Sequence, residues 1–247
     1  MEREEYRRMF ELEDHHWWFQ SRLMMTEGLL HEYLLPEFDG RRPKLLDLGC
    51  GTGLWLQRRA ADCEAFGLDL SREALAFCRT RHLRPVALAD AVRLPLGDAT
   101  FDIVTAFDLI EHVADDHGLI GEVRRVLRPG GYLLASVPAH PMLWSGHDVS
   151  LHHRRRYTRR TFEALFPGAQ WRTVRMTAGF TLVFPPAALL RLSRRLASSE
   201  RPPQSDTHLV PEWINRLMIG LHRYEAAWLR RHDLPIGISL MTIRQKQ

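Results

Sequence analysis

Asp47-Leu48-Gly49-Cys50-Gly51-Thr52-Gly53 sets an acidic side chain just ahead of three alternate glycines. Glycine adopts positive φ freely, and it lets a ligand reach the backbone without a Cβ in the way. A helix starting after such a turn offers unpaired N–H groups to an anionic end such as a carboxylate. The spacing is Gly-x-Gly-x-Gly with leucine at 54, not the Gly-x-Gly-x-x-Gly of a nicotinamide or flavin site. A carboxylate in a buried strand needs a donor, so Asp47 is expected to meet one, for example an ammonium group. Asp69 ends the next apolar run, 16 residues after Gly53, where it could take both hydroxyls of a ribose. Asp90 follows a third run, within reach of a purine amino group. Each aspartate alone also suits a helix N-cap or turn, Asp69 before Ser71 especially. Three at successive strand ends are harder to attribute to capping.

Histidine is the side chain suited to taking a proton near neutral pH. His112 sits in Ile110-Glu111-His112-Val113, and His140, His147, His152 and His153 crowd one later segment. Asp148 and His152 are an i, i+4 pair that shares a face if that segment is helical. His112, His147 and His152 are the candidate catalytic residues, with core packing as the alternative for His112 and a solvated loop for the others. No ligand spacing there matches a zinc pattern, so no metal is expected. Arg154-Arg155-Arg156-Tyr157 and Arg159-Arg160 form the sharpest basic cluster. One of these arginines could fork onto a phosphate or carboxylate; exposed arginines beside a helix capped by Thr158 are the alternative. Trp144, His153, Arg155 and Tyr157 are the candidate substrate contacts.

These residues need elements to position them. Lys44–Leu48, Glu64–Asp69, Pro85–Ala89, Phe101–Phe107 and Tyr132–Val137 read as strands, with helical stretches at Leu54–Ala61, Ser71–His82 and Asp116–Leu127 between them. Strands alternating with helices over short links predict right-handed crossovers and a parallel sheet covered on both faces. After Pro138 a His/Arg-rich loop (138–157) leads to a short helix at Thr158–Phe166 and a strand near Gln170–Met176. Residues 178–236 read as largely helical, with a polar linker at 198–206 and an amphipathic helix from Pro211 to Arg231. Gly237–Arg244 is the seventh strand. The first forty residues read as helix, ending before Pro36.

The whole chain has 247 residues, 45% apolar and 26% charged, which excludes disorder and a disulfide scaffold. Three scattered cysteines point to a reducing compartment, and a charged N-terminus without an apolar run is no signal peptide. The expected location is the cytoplasm. Residues 1–150 carry 17 basic against 24 acidic side chains, net −7, whereas residues 151–247 carry 17 against 6, net +11. A basic C-terminal third suits an anionic small molecule, an anionic membrane surface or nucleic acid. Thirty-two of the 34 basic residues are arginine, so a coding bias explains part of that excess.

The stretches Asp47–Gly53, Gly67–Ser71, Leu88–Pro95, Phe101–Val113 and Val126–Val137 together resemble the class I S-adenosylmethionine-dependent methyltransferases, within them the bacterial small-molecule group. The resemblance implies a Rossmann-like α/β fold: a seven-stranded sheet, mostly parallel with the last strand antiparallel. It divides the chain into an N-terminal helical lid (1–40), a cofactor-binding core (41–177), a helical acceptor-side insertion (178–236) and the final strand (237–247). It implies S-adenosylmethionine as cofactor and S-adenosylhomocysteine as product. Gly49, Gly51 and Gly53 would line the methionine moiety, Asp47 would lie near its ammonium, and Cys50 and Leu70 would be further cofactor contacts. Asp69 would hold the ribose, Asp90 and Ala91 the adenine, and Phe107 the region of the sulfonium. The segment His15–Arg22 also resembles one found ahead of this loop in bacterial relatives. It is either core or a lid in which Trp18 covers the cofactor and Arg22 reaches its carboxylate.

The expected reaction is methyl transfer, at oxygen, to a small acceptor that is anionic or linked to a lipid or glycan. A protein that binds the cofactor without turnover is the first alternative, and an RNA methyltransferase the second. The segment Phe107–His112 lacks the Asn/Asp-Pro-Pro-aromatic element of base-amino methylases, which weighs against nucleic acid. Arg191, Arg194 and Arg195 beside an apolar stretch permit peripheral membrane contact. Oligomeric state is not written in the sequence.

Overall fold

The computed structural model describes residues 3–196 and 210–247. The expected polar linker at 198–206 lies outside the described residues, as do the side chains of Arg194 and Arg195. Seven strands form one sheet: β1 (Lys44–Leu48), β2 (Glu64–Asp69), β3 (Val86–Leu88), β4 (Phe101–Phe107), β5 (Leu127–Pro138), β6 (Trp171–Gly179) and β7 (Ser239–Lys246). Their order is β3-β2-β1-β4-β5-β7-β6. Strands β1 to β5 pair in parallel, and β7 runs antiparallel between β5 and β6. The expected Rossmann-like α/β sheet is thus present.

Each central strand is apolar on both faces because both are covered. Leu46, Leu48, Val104, Leu133 and Ala135 point into a cluster with Leu119, Val123 and Val126 of α5 (Asp116–Val126) and Phe162 of α7 (Arg159–Glu163). Their neighbours Leu45, Ile103 and Leu134 point the other way. There they meet Leu23, Leu29 and Leu30 of α2 (Trp17–Tyr33) and Ala226 and Leu229 of α9 (Glu212–Leu229). A fully buried leucine is worth about 1.5–3 kcal/mol over an exposed one, so this alternation binds the helical layers to the sheet.

Helix starts follow the chain's capping residues. The Ser71 hydroxyl accepts from the Ala74 N–H at 3.2 Å to open α4 (Arg72–Thr80), and Asp115 accepts from the Gly118 N–H at 2.8 Å to open α5.

Several boundaries differ from expectation, among them β5, which starts at Leu127 rather than Tyr132, and α7, which ends at Glu163 rather than Phe166. The first forty residues form two helices, α1 (Arg3–Leu12) and α2, because the chain turns at Glu13–His16, where the His16 ring accepts from the Trp18 N–H. The loop after β5 folds into a 3-10 turn (Pro141–Leu143) and the short α6 (Gly146–Ser150), which Ser145 and Asp148 close as a reciprocal capping box. Before α8 (Phe184–Leu196), β6 runs on to Gly179, because its last residues pair with Met241, Leu240 and Ser239 of β7.

Candidate active site

The sheet order reverses direction between β1 and β4, and a ligand crevice belongs at the carboxyl ends of strands flanking such a switch. A cavity of about 1480 Å³ opens there, walled by the ends of β1, β2 and β4, by α1 and α2, and by residues 144–156 and 183–191. Gly49 and Cys50 both donate their N–H groups to the Leu68 carbonyl, at 2.8 and 3.0 Å, which pins the glycine loop to β2. Gly49 and Gly51 take φ of +69° and +55° and lie on the wall. Gly53 does not line the cavity: it starts α3 (Leu54–Arg59) at φ +88°, and a Cβ there would lie 2.4 Å from Leu83. Its glycine answers to packing, which corrects its expected contact with the ligand.

Asp47 is buried, and its carboxylate accepts from the Thr105 hydroxyl at 2.7 Å. Burial pushes its pKa up to about 7 against the help of Thr105 and Arg22. The donor it meets in the protein is therefore a hydroxyl, and a cation in the cavity would complete it. Asp69 accepts from the Gly51 N–H at 2.9 Å on one oxygen and from the Ser71 N–H at 2.8 Å on the other. Burial raises its pKa while those N–H groups lower it. Each oxygen keeps a lone pair for a hydroxyl, so the turn role and the ribose role coexist. Asp90 is exposed on the wall beside Ala91 and accepts from the Val92 N–H at 3.1 Å. Cys50, Leu70 and Phe107 also line the cavity, Phe107 with its ring edge-on to Trp55 at 4.9 Å.

The N-terminal segment closes this side. Met9 reaches the glycine loop, and the Thr52 hydroxyl donates to Glu13 at 2.6 Å. Arg81 pairs with the same Glu13 carboxylate at 2.7 Å. Trp18 stacks on Phe180 at 4.2 Å between centroids, and Arg22 pairs with Asp108 at 2.8 Å; Trp18, Arg22 and Asp108 all line the cavity. The sequence reading missed Asp108, a φ +49° residue just past β4 whose other oxygen accepts from Ser136 at 3.1 Å. The available signal was an aspartate directly after a strand, a position that tolerates the left-handed conformation.

On the opposite side, Trp144, His147, His153, Arg154 and Arg156 line the wall with His112 and Glu111. His152 is exposed and off the wall, since the chain takes φ +58° there and turns His153 inward instead. Asp148 accordingly pairs with His153 at 3.0 Å and Arg156 at 2.6 Å rather than with His152. Burial alone would raise the Asp148 pKa, but His153 and Arg156 hold it below the usual carboxylate range.

Arg155 and Tyr157 also leave the expected set. Arg155 pairs with Asp116 at 2.7 Å and donates to the carbonyls of Val113 and Ala114, and the Tyr157 hydroxyl donates to the same Asp116 at 2.8 Å. Neither lines the cavity; they staple the 138–157 segment to the start of α5. Burial pushes the His112 pKa down to about 4, with His153 adding to the effect, so this imidazole is neutral at physiological pH and a weak base.

Among known proteins, residues 46–135 match the family described as a methyltransferase domain. A probable S-adenosylmethionine-dependent methyltransferase of Mycolicibacterium smegmatis is 32% identical over 57% of this chain and 52% of its own length. The 27-O-demethylrifamycin SV methyltransferase of Amycolatopsis mediterranei is 35% identical over 36% of each chain. The crystal structure of an S-adenosylmethionine-dependent methyltransferase from Archaeoglobus fulgidus superposes with a TM-score of 0.55 over 89% of this chain and 94% of that one, at 18% identity. Residues 46–135 are thus similar to a methyltransferase domain, in a chain whose curated relatives are named as probable S-adenosylmethionine-dependent methyltransferases. The chain spans about half the length of the first of the curated relatives it matches.

S-adenosylmethionine is the cofactor these relatives imply, and the cavity suits it on its own terms. A cationic amino acid end fits the half-satisfied carboxylate of Asp47, a ribose fits the spare lone pairs of Asp69, and the bare backbone at Gly49 and Gly51 leaves room between them. No described helix is long and apolar enough to cross a membrane.

Proposed function

We propose that the protein transfers a methyl group from S-adenosylmethionine to an oxygen of a small acceptor that is anionic or linked to a lipid. The observation that carries this reading is the two-sided cavity, with the Asp47, Gly49, Gly51, Asp69 and Asp90 wall facing the His147, His153, Arg154 and Arg156 wall. The bound sulfonium supplies an activated methyl group and its own leaving group. The chain's contribution is to hold the reactants in line and remove a proton.

Asp47 receives the cofactor's ammonium, Asp69 its ribose hydroxyls, and Asp90 with Ala91 its adenine; Trp18 and Phe107 exclude water from the sulfonium side. Arg22 is already held by Asp108, yet its guanidinium has further N–H groups with which to meet the cofactor's carboxylate. His147 takes the proton of the acceptor hydroxyl, as the low basicity of His112 leaves that task to it. The oxygen bonds to the methyl carbon as the carbon–sulfur bond breaks, and S-adenosylhomocysteine leaves. Arg154, exposed at the wall and donating to the His112 carbonyl through one nitrogen, meets an anionic group of the acceptor with the others.

An apolar surface supports the lipid-linked class of acceptor. Leu190 and Arg191 line the cavity, and the next residue back, Leu189, is 71% exposed. On α9, Trp213, Leu217, Leu221, Tyr224 and Trp228 form an exposed apolar stripe, with exposed Arg216 and Arg223 on the same helix. A helix with an aromatic apolar face and arginines lies well in an anionic lipid interface.

The test is transfer of isotope-labelled methyl from the cofactor into fractionated aqueous and lipid extracts, with NMR of the labelled product. Label on an oxygen of a lipid or anionic product is expected. Label on nitrogen or carbon contradicts the oxygen assignment, and label in RNA contradicts the acceptor class.

A further inference from the structure

Glu111, His112 and His153 each offer a ligand atom, and these three atoms lie within 4.8 Å of one another on the acceptor side of the cavity. Glu111 is fully buried, and neither of its carboxylate oxygens accepts a hydrogen bond from another described residue. A buried carboxylate without donors is costly unless it is protonated or faces a cation.

The two imidazoles are oriented as ligands are. Asp148, ionised by its pairing with buried Arg156, can only accept, so His153 Nδ1 carries the proton of their 3.0 Å bond. That leaves the lone pair on His153 Nε2, which lies 3.9 Å from Glu111 Oε1. His112 hydrogen-bonds the backbone of His152, and its ring lies edge-on to that of His153 with centroids 4.7 Å apart. A ligand histidine tied through its second nitrogen to a carboxylate or a backbone carbonyl is the recurring outer arrangement of metal sites.

We propose that Glu111, His112 and His153 bind one divalent transition-metal ion, in an open site with positions left for oxygen ligands. Two imidazoles and one carboxylate suit Zn²⁺, Fe²⁺ or Mn²⁺ rather than Mg²⁺ or Ca²⁺, which favour all-oxygen sets. Donors held at about 2.0–2.2 Å from one ion stand about 3.4 Å apart in a tetrahedral set, so His153 Nε2 and Glu111 Oε1, now 3.9 Å apart, close by about half an ångström on binding. The ion neutralises Glu111, whose charge no donor now meets. Resting on the methyl-transfer reading, the open positions would take the acceptor oxygen and lower its pKa.

Metal binding is measured first, without turnover. The full chain, stripped with chelator, is titrated with Co²⁺ followed by its visible absorption, and with Zn²⁺ followed by calorimetry. One equivalent is expected, with Co²⁺ absorption at tetrahedral or five-coordinate intensity. Glu111→Gln keeps the buried shape, and it and His153→Ala should each weaken binding by at least the roughly 10- to 100-fold that loss of an outer partner costs. Calorimetry with S-adenosylhomocysteine on the same variants serves as the fold control, because Glu111 and His153 stand on the opposite wall. Unchanged metal affinity in both variants, or no stoichiometric binding by the parent, overturns the site. Intact metal binding with no methyl transfer to any extract would leave the site standing and overturn the reading of the reaction instead.

Discussion

The two walls of the cavity are built by different means. The cofactor wall rests on residues that local grammar places: glycines after a strand, and aspartates at the ends of β1, β2 and just past β3. The acceptor wall rests on ties between segments far apart in the chain. Arg156 reaches the Ala139 carbonyl, Arg155 reaches Asp116 across 39 positions, and Arg191 donates to the Leu143 carbonyl. The first wall is fixed by the sheet itself, whereas the second is a staple-held segment laid over it. Substitutions on the first should therefore act on cofactor affinity, and those on the second on turnover or on stability.

The largest effect is expected at Asp69. Asp69→Ala removes the ribose acceptor and the tie to the Gly51 N–H together. At about 1.5–3 kcal/mol per hydrogen bond to a charged group, cofactor affinity should fall by on the order of 100-fold or more, read by calorimetry. An unchanged Kd would break the assignment of this wall. His147→Ala should leave that Kd within two-fold, as a control, and lower kcat by roughly 100-fold or more, the usual worth of a general base. Full activity would return His147 to the wall lining alone.

Gly53→Ala comes next, as a stability effect: φ +88° and a Cβ 2.4 Å from Leu83 should cost about 1–3 kcal/mol, read by chemical denaturation. Arg155→Ala should cost less, about 1 kcal/mol, because the group is a third exposed and its pairing is screened. It should lower Tm without touching cofactor affinity. Last, His152→Ala should change kcat and Kd less than two-fold; a large loss would move the catalytic histidine back off the wall.

Asp47 gives the comparison a pH axis. Folded Asp47 keeps its proton up to about pH 7, whereas the unfolded chain releases it near pH 4. The folded state therefore binds the extra proton, and this group's contribution to stability declines as pH rises from 4 towards 7. Cofactor affinity runs the other way, since an ammonium is best met by the ionised carboxylate. Affinity should fall on acidification below pH 7 by up to about ten-fold per unit, and Asp47→Asn should flatten that slope. A pH-independent Kd in the parent would contradict the ammonium contact.

The same contrast explains how much was legible in the sequence. The sheet and the three aspartates follow from alternation and from strand-to-turn junctions, which are short-range features, whereas the antiparallel last strand was implied only by the family resemblance. Gly53 was misassigned because a ligand cradle and a packing constraint both select glycine, and only Leu83, thirty residues on, decides between them. His152 and His153 are adjacent in the chain, and a single left-handed residue decides which faces the cavity. Arg155 and Tyr157 were read as acceptor contacts because their partner Asp116 is invisible to any local pattern. Glu111, His112 and His153 escaped any motif because their donors converge from two loops 41 positions apart.

Calorimetric titration of the full chain with S-adenosylmethionine and with S-adenosylhomocysteine tests the central claim most directly. One site per chain is expected for each, with release of heat abolished by Asp69→Ala in a variant whose unfolding transition is retained. No heat with either compound from the folded parent chain would contradict the account at its root.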